Sequence, residues 1–177
     1  MRQQVTIPAG SEWLAATLHL PPGGLQRLAC TVMVPDLGVP RAGPGRLYVD
    51  LADLLAERGQ AALRLDLRGS GESAGRSEQV TWAGQVEDLR AACAWLRAAQ
   101  PALDPERVAL LGHGQGAAVA ALAVAEVRAS RLALWSPVLP QELLQLLPGG
   151  YLPPTLTDMG AGAWDGPFLA RCRACSR

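Results

Sequence analysis

Short apolar runs alternate with longer amphipathic segments between residues 28 and 136. The apolar runs are four to seven residues long and predict strands at 28–34, 61–65, 108–111 and 131–135. The continuous run at 28–34 is typical of a strand that is covered on both faces. The segments between them have helical periodicity and predict α-helices at 47–58, 79–99 and 116–127. This β-α-β-α-β-α-β order predicts an α/β fold with a doubly wound, mostly parallel sheet and right-handed crossovers.

The N-terminal segment differs from this alternation. Residues 3–7 and 13–20 have strand-like content, and a turn with Gly10 separates them. We therefore expect an N-terminal hairpin that adds antiparallel strands to the sheet. His19 lies in the second of these strands, where we interpret it as an ordinary sheet residue and not as a catalyst.

Two of the predicted helices have a clear apolar face. In the 79–99 helix the apolar positions are spaced by four, three, four and three residues: Trp82, Val86, Leu89, Cys93 and Leu96. In the 47–58 helix the face consists of Tyr48, Leu51, Leu54 and Leu55, and Gly59 follows as a C-terminal cap. We expect both faces to pack against the sheet.

After residue 137 the pattern weakens. We expect residues 1–137 to form the core, and residues 138–177 to form a short helical or irregular tail that is the remnant of a cap region. Residues 141–147 favour one or two helical turns, which the glycines after Pro148 end.

The composition and charge of the chain limit the classes of partner that it can bind. The chain has 177 residues, 49% of them hydrophobic, which is enough for the core of one domain. Sixteen basic and sixteen acidic residues cancel, which argues against a nucleic-acid partner. All the basic residues are arginine, so a Schiff-base lysine is excluded. No apolar stretch approaches the ~20 residues that span a bilayer, and we expect a cytoplasmic protein without a membrane span.

The four cysteines do not form a disulfide framework. Cys30 and Cys93 occupy apolar positions, and we interpret them as core thiols. Cys172 and Cys175 form a single C-x-x-C pair, a weak signal for zinc or redox chemistry because no second pair or nearby histidine accompanies it. We expect no metal and no cofactor.

A turn rich in glycine follows the third predicted strand of the parallel part. Gly112 and Gly116 flank Gly114 at the spacing of a nucleophile elbow, G-x-S-x-G, where flanking glycines let a strand and a helix pass closely. The central position of that motif carries the catalytic serine. Here it is glycine, which has no side chain, so the sequence shows the elbow without its nucleophile.

Two further loops follow predicted strands. The strand at 28–34 leads into Pro35, Asp36, Leu37 and Gly38, and the strand at 61–65 leads into a D-x-R-G-x-G-x-S turn over residues 66–73. Loops after buried strands are where α/β folds build their sites. We interpret two arginines of the first loop region as solvated: Arg41 and Arg46.

The three motifs together, over residues 3–137, resemble the α/β-hydrolase superfamily, and more narrowly the bacterial serine aminopeptidase-like and monoacylglycerol-lipase-like hydrolases. The resemblance implies an oxyanion hole from the backbone N–H groups of Leu37 and Gln115, and a pocket with Asp36 and His113. It implies that the 66–73 turn is structural, with bracing, packing or capping roles for its members Asp66, Arg68, Ser70 and Ser73. The ligand it implies is a small acyl, ester or peptide-like molecule.

The departures from that family affect catalysis directly. Gly114 stands at the nucleophile position, and the family's late acid and histidine have no counterpart after it. The two histidines of the chain are His19 and His113, and His113 directly precedes the elbow residue. We therefore predict a member of the serine-hydrolase family that is catalytically impaired and has no intact catalytic residue. The alternative is a non-catalytic binding or scaffold protein on the same fold, with an exposed sheet edge that favours a homodimer.

A third interpretation is a nucleotide site. Gly112, Gly114 and Ala117 fit G-x-G-x-x-[GA] after a strand. The acidic residue expected ~20 residues later at the end of the next strand is absent, since that strand ends in Trp135 and Ser136. This interpretation is the weakest of the three.

Overall fold

The computed structural model describes residues 1–23 and 27–137. The predicted C-terminal tail, with its helical turns at 141–147 and its C-x-x-C pair, lies outside the described residues.

The described residues form six strands and three α-helices. The strands are β1 (Arg2–Ala9), β2 (Glu12–His19), β3 (Leu28–Val34), β4 (Ala61–Leu65), β5 (Leu103–His113) and β6 (Arg131–Trp135). The α-helices are α1 (Leu47–Glu57), α2 (Trp82–Ala99) and α3 (Gly116–Ala123). Short 3-10 turns at Pro44–Arg46 and Ser77–Gln79 precede α1 and α2.

All six strands belong to one sheet in the order β1-β2-β4-β3-β5-β6. β1 and β2 form the predicted antiparallel hairpin, and β2 pairs antiparallel with β4. The remaining neighbours are parallel, so the alternating part of the chain forms the predicted parallel sheet. The predicted fold class is confirmed.

Helices cover both faces of the sheet. Helices α2 and α3 pack on one face over the larger core, which includes Leu14, Leu63, Leu89 and Leu110. Helix α1 packs on the other face, where Tyr48 joins a smaller cluster with other apolar side chains. Alternating side chains of β3 and β4 thus enter two different cores, which explains the continuous apolar runs of these two strands in the sequence.

For two residues that the pattern places on apolar helix faces, the predicted burial is wrong. Trp82 is 39% exposed and Leu54 is 40% exposed. Trp82 is the first residue of α2, one step after the capping residue Thr81, whose hydroxyl accepts a hydrogen bond from Gly84 N at 3.1 Å. In α1 the buried face is shifted, so that Val49 is buried and Leu54 is exposed.

Three element boundaries differ from the predictions by three residues or more. Helix α2 begins three residues later, because the chain enters it through a separate 3-10 turn. Helix α3 ends at Ala123, four residues early. Strand β5 begins at Leu103, which pairs with Leu28 before an irregularity shifts the register to Val108 opposite Cys30. The intervening residues include a proline and three charged side chains, which is why their pattern does not predict a strand.

Candidate active site

The predicted elbow is a sharp turn between β5 and α3. Gly114 has φ of +57°, in the left-handed region, and Gln115 follows it as the residue before the helix. A Cβ at Gly112 would lie 2.5 Å from a backbone atom of α3, and one at Gly116 would lie 2.1 Å from the carbonyl oxygen of Pro35. Since backbone occupies both places, only glycine fits at these two positions.

The carboxylate of Asp36 occupies the place of a side chain at position 114. A Cβ built on Gly114 would lie 2.3–2.5 Å from the three carboxylate atoms of Asp36. Such distances are shorter than van der Waals contact, so the two groups exclude each other. A carboxylate from the loop after β3 therefore lies where the nucleophile side chain of the motif would be.

One oxygen of this carboxylate accepts two backbone hydrogen bonds. Leu37 N donates to Asp36 Oδ1 at 2.8 Å, and Gln115 N donates to the same oxygen at 2.7 Å. These are the two N–H groups that the sequence predicts for an oxyanion hole, and their distances are those an oxyanion would have. The structure brings the two donors together, and Asp36 itself fills the space between them.

A small cleft lies beside this carboxylate. It has a volume of about 150 Å³, and its apolar lining includes Leu37, Leu67 and Val80. Gln85 of α2 also lines it. The cleft is at the carboxyl ends of β3 and β4, the edge where α/β folds bind ligands.

The loop that carries Asp36 is held by a fully buried carboxylate, Asp66. Asp66 accepts hydrogen bonds from the backbone N–H and the guanidinium of Arg41, and from Glu72 N at 3.0 Å. Arg41 also pairs with the Glu72 side chain, and its side chain is only 15% exposed. The interpretation of Arg41 as a solvated residue is therefore wrong, because its guanidinium compensates the buried charge of Asp66. Arg46 is exposed.

The rest of the 66–73 turn is also engaged in internal contacts. Arg68 donates from its backbone N and its Nε to Asp88 of α2, each at 2.8 Å. Burial raises the pKa of Asp88, and its hydrogen bonds from Arg68 oppose that rise. Ser73 donates to the carbonyl oxygen of Asp66 at 2.6 Å and accepts from Ala15 N at 2.8 Å. Ser70 lines the cleft, and its Oγ lies 3.5 Å from the carbonyl oxygen of Val39.

His113, the last residue of β5, faces the α1 side of the sheet. Its Nδ1 is 2.6 Å from the hydroxyl of Tyr48, and its ring lies against Trp135, with centroids 5.1 Å apart. Burial raises the pKa of Tyr48, so its hydroxyl stays protonated at neutral pH. The imidazole packs between two aromatic rings, which gives it a structural place beside the elbow.

His19 is far from the elbow in the sheet and is 1% exposed. Its Nδ1 is 2.9 Å from Asp53 Oδ1, and its Nε2 accepts a hydrogen bond from Arg64 Nε at 3.0 Å. Burial lowers the pKa of His19, and the positive charge of Arg64 lowers it further. His19 is thus a neutral imidazole with both nitrogens engaged.

Two sets of contacts are not apparent in the sequence. One is at the elbow, where Asp36, predicted only as a pocket residue, accepts hydrogen bonds from Leu37 N and Gln115 N. The available signal was the coincidence of a carboxylate at 36 with a missing side chain at 114. The other lies away from the elbow and is the Asp53–His19–Arg64 chain of hydrogen bonds, whose members come from three elements and have no sequence spacing that links them.

The described ranges contain no group of three or more His, Cys, Asp or Glu side chains placed to hold a metal ion. Within the same ranges, no helix has the length and apolar character needed to cross a membrane.

Comparison with known proteins gives a family match. The family model described as "Serine aminopeptidase, S33" matches residues 43–156, well over half of the chain. Two uncharacterized proteins from strains of Mycobacterium tuberculosis are each 39% identical over 97 residues, which is 54% of this chain and 33% of theirs. The chain thus spans about a third of the length of these relatives.

Solved structures with the same fold include the α/β hydrolase GrgF from Penicillium sp. sh18, with a TM-score of 0.69 and 25% identity over 78% of this chain and 46% of that one. Est1E from Butyrivibrio proteoclasticus, solved with ferulic acid bound, has a TM-score of 0.70 and 24% identity over 92% of this chain and 65% of that one. The second likeness concerns the fold alone. The family match, together with the elbow and the sheet order, shows that this chain belongs to the serine aminopeptidase S33 family of α/β hydrolases.

Proposed function

We propose that the chain is a pseudoenzyme of this family: a serine ester or peptide hydrolase fold that does not perform ordinary serine-hydrolase turnover. The observation that carries the proposal is the place of the Asp36 carboxylate, where the side chain of residue 114 would be and on both donors of the hole. A substrate carbonyl oxygen needs those donors, and a serine needs that space. Both requirements fail at the same point.

The histidines support the proposal. A triad base must reach the nucleophile and take its proton. His19 is engaged by Asp53 and Arg64, and His113 Nδ1 is engaged by Tyr48. Residue 114 is a glycine within the sequence, so this position has no nucleophilic side chain whatever the length of the relatives.

The proposal extends to ligand and location. We propose a small acyl, ester or peptide-like ligand, because the cleft beside Leu37 is small and partly apolar. We propose a cytoplasmic, bacterial protein with residues 1–137 as its hydrolase-like core and residues 138–177 as the remnant of a cap.

The test is hydrolysis of short p-nitrophenyl esters by the purified chain, with and without a serine-directed fluorophosphonate. We expect no rate above that of the chain denatured beforehand. Gly114→Ser should also be inactive, because His19 and His113 are engaged elsewhere and Asp36 occupies the position of the new side chain. Turnover by the wild type that the fluorophosphonate abolishes would refute the proposal.

The alternative function is that of a binding or scaffold protein on the same fold, acting as a homodimer. The observation that favours it is the edge of β6, which in the described part of the chain pairs with β5 alone. Trp135 on this strand is 36% exposed. Light scattering coupled to size exclusion distinguishes the two, since a dimer that Trp135→Glu disrupts supports the scaffold and a monomer contradicts it.

A further inference from the structure

The occupied hole has the chemistry of a carboxylate-binding site. Its two donors, Leu37 N and Gln115 N, converge on one carboxylate oxygen at 2.8 and 2.7 Å. Gln115 directly precedes α3, so its N–H lies at the positive end of a helix dipole, where negative charge is stabilised. The group that these donors hold in the structure is a carboxylate, the side chain of Asp36.

The space beside the hole gives the size of the ligand. The cleft lined by Leu37, Leu67 and Val80 has a volume of about 150 Å³. An apolar cavity of roughly that volume accommodates benzene. A carboxylate in the hole with an apolar body in this cleft therefore has about the size of benzoate.

We propose that the oxyanion hole is a carboxylate site that Asp36 occupies as an intramolecular ligand, and that removal of the Asp36 carboxylate admits a monocarboxylate of about benzoate size. The inference rests on the site in the proposed function and adds its ligand class and the contact that closes it. A free carboxylate must displace the tethered Asp36 carboxylate, whose effective concentration is on the order of millimolar for a short tether. The wild type is therefore closed to external acids at concentrations well below that value.

The rest of the loop does not depend on the Asp36 side chain. Val39 N donates to the carbonyl oxygen of Asp36 at 3.0 Å, and Arg41 ties the loop to buried Asp66. Leu37 is 51% exposed, so water reaches its N–H when the carboxylate is removed. The two donors should thus keep their positions in Asp36→Ala.

The experiment is a benzoate titration of the wild type, Asp36→Ala and Asp36→Asn, followed by the amide signals of Leu37 and Gln115 in NMR spectra. Asp36→Ala should bind benzoate at least about tenfold more tightly than the wild type, and about tenfold more tightly than it binds uncharged benzamide. Asp36→Asn keeps an oxygen acceptor of the same shape and should stay closed. Equal binding by the wild type and Asp36→Ala, or equal binding of benzoate and benzamide, would overturn the inference.

A measurement on the wild type avoids dependence on the folding of any variant. The amide protons of Leu37 and Gln115 should exchange slowly with solvent and should not move when benzoate is added. Fast exchange at both amides would show that Asp36 does not occupy the hole. Failure of benzoate binding by a folded Asp36→Ala, with an inactive wild type, overturns this inference alone, whereas ester turnover by the wild type overturns the proposed function.

Discussion

The mutual exclusion of Asp36 and a side chain at position 114 predicts strong coupling between the two positions. Gly114→Ala adds a single methyl group at the point where the Asp36 carboxylate lies, 2.3–2.5 Å away. That methyl must expel the carboxylate from its two N–H donors. In an Asp36→Ala background the same methyl meets no carboxylate and should be tolerated better.

The magnitudes follow from three contributions. A non-glycine residue in the left-handed region costs about 1 kcal/mol. Each backbone hydrogen bond to the carboxylate contributes about 1 kcal/mol at this half-exposed position, the typical value for a hydrogen bond in a protein. Gly114→Ala should then cost about 3 kcal/mol and Asp36→Ala about 2 kcal/mol, while the double variant should also cost only about 3 kcal/mol. The double variant should therefore be about 2 kcal/mol more stable than the sum of the two single effects would give.

The assay is urea unfolding of the wild type, both single variants and the double variant, with the free energy of unfolding taken from each curve. Gly10→Ala serves as the control, because Gly10 has φ of +67° and its Cβ would meet no atom within 4 Å. This variant should lower the free energy of unfolding by about 1 kcal/mol, which is the cost of the left-handed backbone conformation alone. Additive effects at positions 36 and 114 would refute the exclusion of one group by the other.

Two further predictions concern buried groups away from the elbow. Burial and the charge of Arg64 hold the pKa of His19 below its usual value. The neutral imidazole therefore contributes fully to stability above about pH 6.5, and this contribution is lost as the pH falls below that value. The loss is at most about 1.4 kcal/mol per pH unit. Urea unfolding from pH 8 to pH 5 should show this loss in the wild type and a smaller one in His19→Gln; identical pH profiles would contradict it. Burial raises the pKa of Cys93 to about 11 and that of Cys30 still further, so iodoacetamide at pH 8 should leave both thiols unmodified until the protein is unfolded. Peptide mass spectrometry measures this, and rapid native labelling of either thiol would show that it is accessible.

The fold follows from the sequence because its signals are local and repeated. Each buried strand is a short apolar run, and each helix between them has its own periodicity, so the order of elements requires no knowledge of distant contacts. Glycine positions were equally informative. Gly112 and Gly116 mark a close approach of backbones, and the structure leaves no room for a Cβ at either.

What the sequence did not predict depends on long-range contacts. Arg41 and Asp66 are 25 residues apart and come together only when the sheet forms, so Arg41 looked like a solvated loop residue. Asp36 and Gln115 are 79 residues apart, and no spacing rule relates a carboxylate to a backbone N–H at that separation. The family resemblance predicts Leu37 N and Gln115 N as donors, and only the structure shows that both donate to Asp36.

The central claim is that residue 114 offers no nucleophile and that Asp36 closes the hole beside it. The most direct measurement is the intact mass of the native chain after incubation with a fluorophosphonate, which forms a stable adduct with an activated serine. The account predicts that the mass is unchanged. A stoichiometric adduct mapped to any serine of the chain would show a working nucleophile and would contradict the account.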